Sequence, residues 1–362
     1  MEKLIRVGIT HGDINGIGYE VILKTLDDAR LLEMCTPVVY GSAKIAAFYR
    51  KALDMQPMQL NQATSAADAR DGVVNVINVV GEDVKVEPGV ESPAAGEAAF
   101  AALERATADL REGLIDVLVT APINKHSIQS PSFTFPGHTE YLEATLGEEG
   151  DRALMVMCSD DMRVALVTTH LPLSRVPGAV TREAILEKLR VFSRSLVRDF
   201  GVHAPRIAVL SLNPHAGEGG LLGTEEQEVI APAIEEARSK KILAFGPYAA
   251  DGFFGSGLYH RFDGILAMYH DQGLAPFKAL AMEAGVNFTA GLPYVRTSPD
   301  HGTGYDIAGK GEASEQSMRS AIFSAIDIYR NRMREDAATA NPLRRQYYSK
   351  GNDNVVLDLT KD

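Results

Sequence analysis

Short, nearly all-apolar runs alternate along the chain with longer segments in which apolar and charged positions recur at helical spacing. Residues 4–9, 37–40, 73–79 and 115–120 read as strands, as do 163–168, 206–212, 242–245, 264–268 and 286–290. Several of these runs are apolar at almost every position, the pattern of strands covered on both faces in a parallel sheet. Helices are predicted over 94–112, over 182–200 behind an N-capping Thr181, over 224–240 and over 314–334. The third of these opens on acidic residues and closes on Ser239, Lys240 and Lys241, which suits the helix dipole. Alternating strands and helices predict an α/β architecture. No internal repeat or low-complexity linker divides the chain, and the polar tail 337–362 is expected to be partly disordered or draped on the surface.

Composition narrows the partners. The chain has 362 residues, 48 acidic and 36 basic, for a formal charge of −12. That balance argues against nucleic acid and against an anionic membrane surface, both of which need a basic footprint. A small anionic substrate stays open, because a few local cations suffice. No run approaches the roughly 18 apolar residues of a membrane helix, and the start of the chain lacks a signal peptide's apolar segment. The two cysteines, Cys35 and Cys158, lie far apart and outside any C-x-x-C pair. Together these features lead to the expectation of a cytoplasmic protein in a reducing compartment.

Three histidines share one position relative to the predicted strands. His170 closes 163–170, His215 follows 206–212 through Asn213-Pro214, and His270 closes 264–270. The carboxyl edge of an open α/β sheet is where ligands bind, and imidazole is the commonest protein ligand for borderline metals. Taken singly, each histidine reads more readily as a satisfied loop or capping residue; the joint pattern favours a divalent-metal site with an open position. Asp271, next to His270, is placed to ligate, to orient a histidine or to take a proton. Glu218, in the glycine-rich loop after His215, reads more readily as a solvated charge.

Other segments offer handles for anions. The glycine-rich turn 10–20 follows the first strand and opens a helix, so its backbone N–H groups are candidates to meet an anion. It does not match G-x-G-x-x-G. His138 and Thr139 precede another helical pattern, where Thr139 is equally a helix cap. Lys278, Asn287 and Arg296 recur near strand or loop ends; lysine offers phosphate a point charge and arginine a bidentate fork, although each cation alone is also an ordinary surface residue. A second glycine-rich loop, 297–311, permits close backbone approach to a ligand.

Six motifs then occur in order: Thr120-Ala-Pro-Ile-Asn-Lys125, Pro136-Gly-His-Thr-Glu140, Thr168-Thr-His-Leu-Pro-Leu173, Leu212-Asn-Pro-His-Ala-Gly-Glu218, Tyr269-His-Asp-Gln-Gly273 and Asp300-His-Gly-Thr-Gly-Tyr-Asp-Ile-Ala-Gly309. From about residue 5 to 328 the chain resembles the 4-hydroxythreonine-4-phosphate dehydrogenase family of pyridoxal 5′-phosphate biosynthesis. The resemblance implies an isocitrate/isopropylmalate dehydrogenase-like fold: two α/β subdomains around a central cleft, approximately 1–145 with 290–336 and 146–289, acting as a homodimer with sites at the subunit interface. It implies that His170, His215 and His270 hold one divalent metal (zinc, magnesium, manganese or cobalt). It matches His138, Thr139, Lys278, Asn287 and Arg296 to substrate-binding positions, and Gly302, Gly304 and Asp306 to a cofactor loop for NAD, with NADP open. Asp271, Asp251 and Lys278 are the candidate proton acceptors.

The implied reaction is oxidation of 4-phosphooxy-L-threonine at C3, followed by decarboxylation to 3-amino-2-oxopropyl phosphate. Related enzymes oxidise 4-phosphorylated threonate or erythronate, and more remote relatives of the fold transfer acyl groups to phosphate. A non-catalytic metal- or metabolite-binding protein is the remaining class. One segment departs from the family pattern: Gly-Asp-Pro-Ala-Gly-Ile-Gly-Pro-Glu is replaced by Gly12-Asp-Ile-Asn-Gly-Ile-Gly-Tyr-Glu20.

Overall fold

The computed structural model describes residues 4–81 and 83–341. Its strands are β1 (Ile5–Thr10), β2 (Cys35–Gly41), β3 (Leu60–Ala63), β4 (Val74–Asn78), β5 (Val117–Thr120) and β6 (Leu154–Cys158). They continue as β7 (Arg163–Leu166), β8 (Arg206–Leu210), β9 (Leu243–Tyr248), β10 (Gly264–Ala267), β11 (Val286–Ala290) and β12 (Arg296–Pro299). The α-helices of the first half are α1 (Gly18–Leu26), α2 (Leu31–Met34), α3 (Ala43–Ala52), α4 (Pro93–Arg111) and α5 (His138–Leu146). Those of the second are α6 (Val176–Ala179), α7 (Arg182–Arg198), α8 (Ala231–Ser239), α9 (Ala250–Gly255), α10 (His270–Ala281) and α11 (Gln316–Thr339).

All twelve strands join one sheet in the order β3-β4-β2-β1-β5-β12-β11-β6-β7-β10-β8-β9. The strands from β3 to β12 in that order are mutually parallel, and so are β7, β10, β8 and β9. Between the two blocks, β11 is antiparallel to both β12 and β6, and β6 is antiparallel to β7. The blocks therefore run in opposite directions. The expected α/β class is what the chain adopts.

Local chemistry accounts for the main helices. Ser92 Oγ accepts from the Ala95 amide ahead of α4, with Pro93 at the first helical position. Thr181 caps α7 in the same way through Ala184. The predicted 224–240 helix is split: a π-helical turn over Glu226–Ile230 precedes α8, beside Pro232, which has no N–H to donate. Helix α11 runs five residues past the predicted end, to Thr339; the rest of the predicted tail, from residue 342, lies outside the described residues.

Packing fixes the strands that matter for the site. α7 and α10 both pack against β7 and β10. Phe192 of α7 is fully buried, and a Cβ on Gly264, at the start of β10, would stand 2.6 Å from its ring. Burial of such a phenylalanine contributes roughly 1.5–3 kcal/mol, and the close approach sets the depth of β10 beneath α7. Cys35 and Cys158 are both buried free thiols. Among the described residues no helix is long and apolar enough to cross a membrane.

Candidate active site

The three histidine-bearing segments leave adjacent parallel strands, since β7, β10 and β8 are neighbours in the sheet. Side chains tie their ends together. Thr168 Oγ1 donates to the Met268 carbonyl at 2.8 Å, the Met268 amide donates to Gln272 Oε1 at 2.7 Å, and Gln272 Nε2 donates to the Ser211 carbonyl at 2.6 Å. This brace runs from the segment before His170, through the segment before His270, to the segment before His215.

His170 and His270 come together, with ring centroids 5.9 Å apart. Asp271 Oδ1 takes the Nδ1 position of His270 at 2.7 Å, which leaves Nε2 of that ring free. Partial burial, with the nearby Lys125, holds the His170 imidazole below its usual pKa and so neutral. Two neutral or orientable imidazoles suit a borderline divalent cation. His215 does not complete the set: within the described residues no three His, Cys, Asp or Glu side chains lie close enough to hold a metal ion.

His215 stands instead in an unusual turn. Residues 215–219 all have positive φ, including His215 at 52°, Ala216 at 52° and Glu218 at 46°. Non-glycine residues in this region carry strain of order 1–2 kcal/mol each. The turn is held by a buried carboxylate: Glu226 Oε1 accepts from the Leu212 and Asn213 amides, both at 2.8 Å, and Oε2 accepts from Asn213 Nδ2 at 3.0 Å. Glu218 Oε2 lies 3.5 Å from His215 Nδ1. Leu221 and Leu222, directly beyond the turn, are exposed at 80% and 45%.

The anion handles converge on a cleft of two connected lobes of about 250 and 230 Å³, both lined by Lys125, His138, Asn287 and Arg296. The first lobe reaches Thr139 and His170; the second reaches Lys278, Asp300 and Gly302. Arg296, at the start of β12, is only 4% exposed. Its guanidinium donates to Thr120 Oγ1 at 3.0 and 2.6 Å and to Thr289 Oγ1 at 3.2 Å, with no carboxylate in ion-pair distance among the described residues. Burial lowers its pKa to about 9. A buried cation satisfied only by hydroxyls is costly unless an anion joins it. His138 begins α5; burial, then Arg296 and Lys125, hold it well below the usual histidine pKa. Its Nε2 and the Asn287 Oδ1 are enclosed and lack partners among the described residues. Both point to polar groups of a ligand.

Lys278, on α10, reaches Asp300 Oδ1 at 2.9 Å and the Asp300 carbonyl at 3.2 Å. In the cofactor-loop segment, Gly302 faces open space, and Gly304 has φ of 55° with Ile17 filling the volume a Cβ would need. Asp306 is exposed, its side chain without a partner among the described residues. Asp251 is exposed on α9 and lines neither lobe.

One reading changes with the structure. The turn 10–20 is not an anion cradle: its Asp13, Asn15, Gly16 and Ile17 amides donate to Pro122 O, Asp13 Oδ1, Asp13 O and Thr303 O. Instead it supports the 297–311 loop, with Tyr305 donating to Asp13 Oδ2 at 2.7 Å. Sequence reasoning also gave no role to Lys125. It closes the first of the six motifs, but only the fold brings it beside His138 and Arg296.

Comparisons with known proteins identify the family of the chain. Residues 33–325 match the family described as pyridoxal phosphate biosynthetic protein PdxA. A 4-hydroxythreonine-4-phosphate dehydrogenase of Bacteroides thetaiotaomicron is 62% identical over 358 residues, covering 99% of this chain and 98% of that protein. An Oceanobacillus iheyensis protein, provisionally named D-threonate 4-phosphate dehydrogenase, is 40% identical over 333 residues, covering 91% of this chain and 99% of its own. The 1.25 Å crystal structure of 4-hydroxythreonine-4-phosphate dehydrogenase from Klebsiella pneumoniae superposes with a TM-score of 0.79 at 36% identity, over 91% of this chain and 99% of that one. With a family match across most of its length and a near-full-length relative at 62% identity, the chain belongs to the pyridoxal phosphate biosynthetic protein PdxA family.

Proposed function

We propose that the chain is a 4-hydroxythreonine-4-phosphate dehydrogenase. It oxidises the C3 hydroxyl of 4-phosphooxy-L-threonine, and the resulting β-keto acid loses CO2 to give 3-amino-2-oxopropyl phosphate, in cytoplasmic pyridoxal 5′-phosphate biosynthesis. The near-full-length identity to the Bacteroides relative supports the substrate. The observation that carries the chemistry is Arg296: a buried guanidinium with hydroxyl partners only, at the meeting of both lobes, awaits an anion.

The residues divide the work as follows. Arg296 and Lys125 offer charge to the phosphate or carboxylate of the substrate, and Lys278, fixed by Asp300, serves as a further anchor. Thr139 at the start of α5 adds a hydroxyl. Asn287 Oδ1 accepts from a substrate hydroxyl or amine, and neutral His138 meets a substrate oxygen through its enclosed ring nitrogen. With Lys278 an anchor, Asp271 and Asp251 remain as proton acceptors, and Asp271 is the better situated because it already touches His270.

A divalent cation is held by His170 and His270 of one subunit and His215 of a second copy of the chain, which makes the enzyme a homodimer with interface sites. The separation of His215 from the paired rings and the exposed leucines beside it support this arrangement. Bound there, the cation supplies Lewis acidity to the alcohol and to the carbonyl formed from it. NAD, or NADP, supplies the hydride acceptor on the Gly302, Gly304 and Asp306 loop. The subdomain division into 1–145 with 290–336 and 146–289 is supported by the change of strand direction, which falls at β11 and β6.

The test is NAD reduction, read at 340 nm, with 4-phosphooxy-L-threonine, 4-phospho-D-threonate and 4-phospho-D-erythronate side by side, with and without chelator. The proposal requires the highest kcat/KM on phosphothreonine and loss of turnover on chelation. Preference for a sugar acid moves the enzyme to the catabolic branch of its family.

A further inference from the structure

Away from the active-site cleft, five arginines surround one cavity of about 290 Å³: Arg152, Arg190, Arg194, Arg198 and Arg332. The concentration is unexpected in a chain of net charge −12. Arg190, Arg194 and Arg198 follow one another at four-residue intervals on α7, where like charges repel. An adjoining groove of about 940 Å³ shares those three and adds Lys240 and Lys241, together with Glu187, Glu335 and Asp336.

The acids present neutralise only part of this charge. Asp199 is committed to the buried Arg332, whose Nε donates to it at 2.6 Å, and to Ser195 Oγ at 2.6 Å. Asp336 pairs with Arg198 at 3.0 Å. Asp151 accepts from the Glu148 amide, and Arg152 donates only to the Asp151 carbonyl. Arg190 and Arg194 have no partner among the described residues, and of the lining carboxylates Glu148 and Asp151 are paired with no cation there. On the floor, Arg332 Nη1 donates to the Leu292 and Pro293 carbonyls at 3.1 and 2.8 Å, while Nη2 makes no bond among the described residues. The floor is rigid: Arg332 is 5% exposed, and Gly291 leaves no space for a side chain against Arg152 O.

We infer that this cavity is a second anion site, for a small phosphate-class polyanion such as a diphosphate or a metabolite bearing two phosphoryl groups. Guanidinium forks from α7 and from the 152 loop close on its oxygens, over a floor that already holds one oriented arginine. The volume admits a small metabolite and excludes a polymer. The site lies behind the cleft, since 291–295 join β11 to Arg296.

Isothermal titration of the full-length protein with inorganic pyrophosphate at constant ionic strength tests this. Wild type should bind at two sites per chain. Arg296→Ala should remove the cleft site and keep the other. The double variant Arg190→Ala/Arg194→Ala should weaken the second site at least tenfold, with kcat, KM and thermal midpoint unchanged, and Arg190→Lys/Arg194→Lys should recover part of the affinity. A single site that vanishes in Arg296→Ala overturns the inference, as does second-site binding indifferent to the double alanine variant.

Discussion

The Lys278 ammonium sits 2.9 Å from Asp300 Oδ1, at the edge of the same lobe that Arg296 closes from behind. Asp300 is itself buried enough that desolvation raises its pKa, an effect Lys278 opposes. Lys278 therefore favours the charged form of Asp300. A lysine tied down in this pair is positioned to grip a substrate anion at the edge of the lobe.

The consequence is measurable. Lys278→Ala should raise KM by about 10- to 100-fold, the range of one charge-assisted contact, while Lys278→Arg retains part of the binding. Asp300→Asn should leave the acid limb of the kcat/KM profile in place. A shift of that limb downward by a full pH unit would instead identify Lys278 as the base.

Arg296 makes a sharper case for geometry over charge. Its fork spans Thr120 on β5 and Thr289 on β11. Arg296→Ala should raise KM more than it lowers kcat, and Arg296→Lys should not rescue it, because an ammonium cannot reproduce the planar fork. Steady-state kinetics on both variants, with circular dichroism to verify folding, decides this; an unchanged KM removes Arg296 from the substrate site.

Much of this was legible beforehand. Nine apolar runs became nine strands, because a strand buried on both faces writes its environment into nearly every residue. The strands that escaped were β3, β6 and β12. β12 reads Arg-Thr-Ser-Pro, three polar residues and a proline, and becomes a strand only because β5 and β11 flank it. Helix α10 was hidden by Pro276. The three histidines were visible as strand-end residues, yet their distribution in space was not, since it depends on a left-handed turn that no periodicity encodes. The buried state of Arg296 was equally hidden: a sequence shows an arginine, and only the fold shows that it has no carboxylate.

If His215 serves the site of a second copy, inactive variants must complement. Take His215→Ala and His270→Ala, each nearly inactive alone. Unfolded together and refolded as an equal mixture, about half of the dimers are hybrids, and each hybrid holds one intact site and one doubly damaged one. The mixture should regain about a quarter of wild-type activity. A mixture as inactive as its parents would mean that all three histidines come from a single chain.

Glu226 offers a test of positioning. It is 3% exposed and gives all three of its hydrogen bonds to the segment that carries His215. Glu226→Gln places a donating amide NH2 where an acceptor is required. Metal affinity should fall about 10- to 100-fold, and the fold should lose about 1–3 kcal/mol, whereas Glu226→Asp should recover part of the affinity. Metal content after dialysis against graded chelator, compared with the urea midpoint, separates the two effects: a loss of stability with normal metal affinity assigns Glu226 to the fold alone.

His11 sets a limit on acid stability. The ring is fully buried and stacks on Tyr19 at 5.3 Å; its nitrogens make no well-aligned hydrogen bond among the described residues, and the Gly12 and Ala98 backbone beside them offsets only part of the burial. Burial lowers its pKa to about 4, against 6.5 for the unperturbed side chain. Between those values the unfolded chain binds a proton that the folded chain refuses, so stability falls as pH drops from about 6.5 to about 4 and this contribution levels off below that. The slope attributable to His11 is at most about 1.4 kcal/mol per pH unit. His11→Phe keeps a ring against Tyr19 and removes the titration. Urea unfolding at pH 7.5, 6 and 5 should show a shallower decline for the variant than for wild type, even where the variant is less stable at pH 7.5. Parallel declines would mean that His11 takes its proton inside the folded protein.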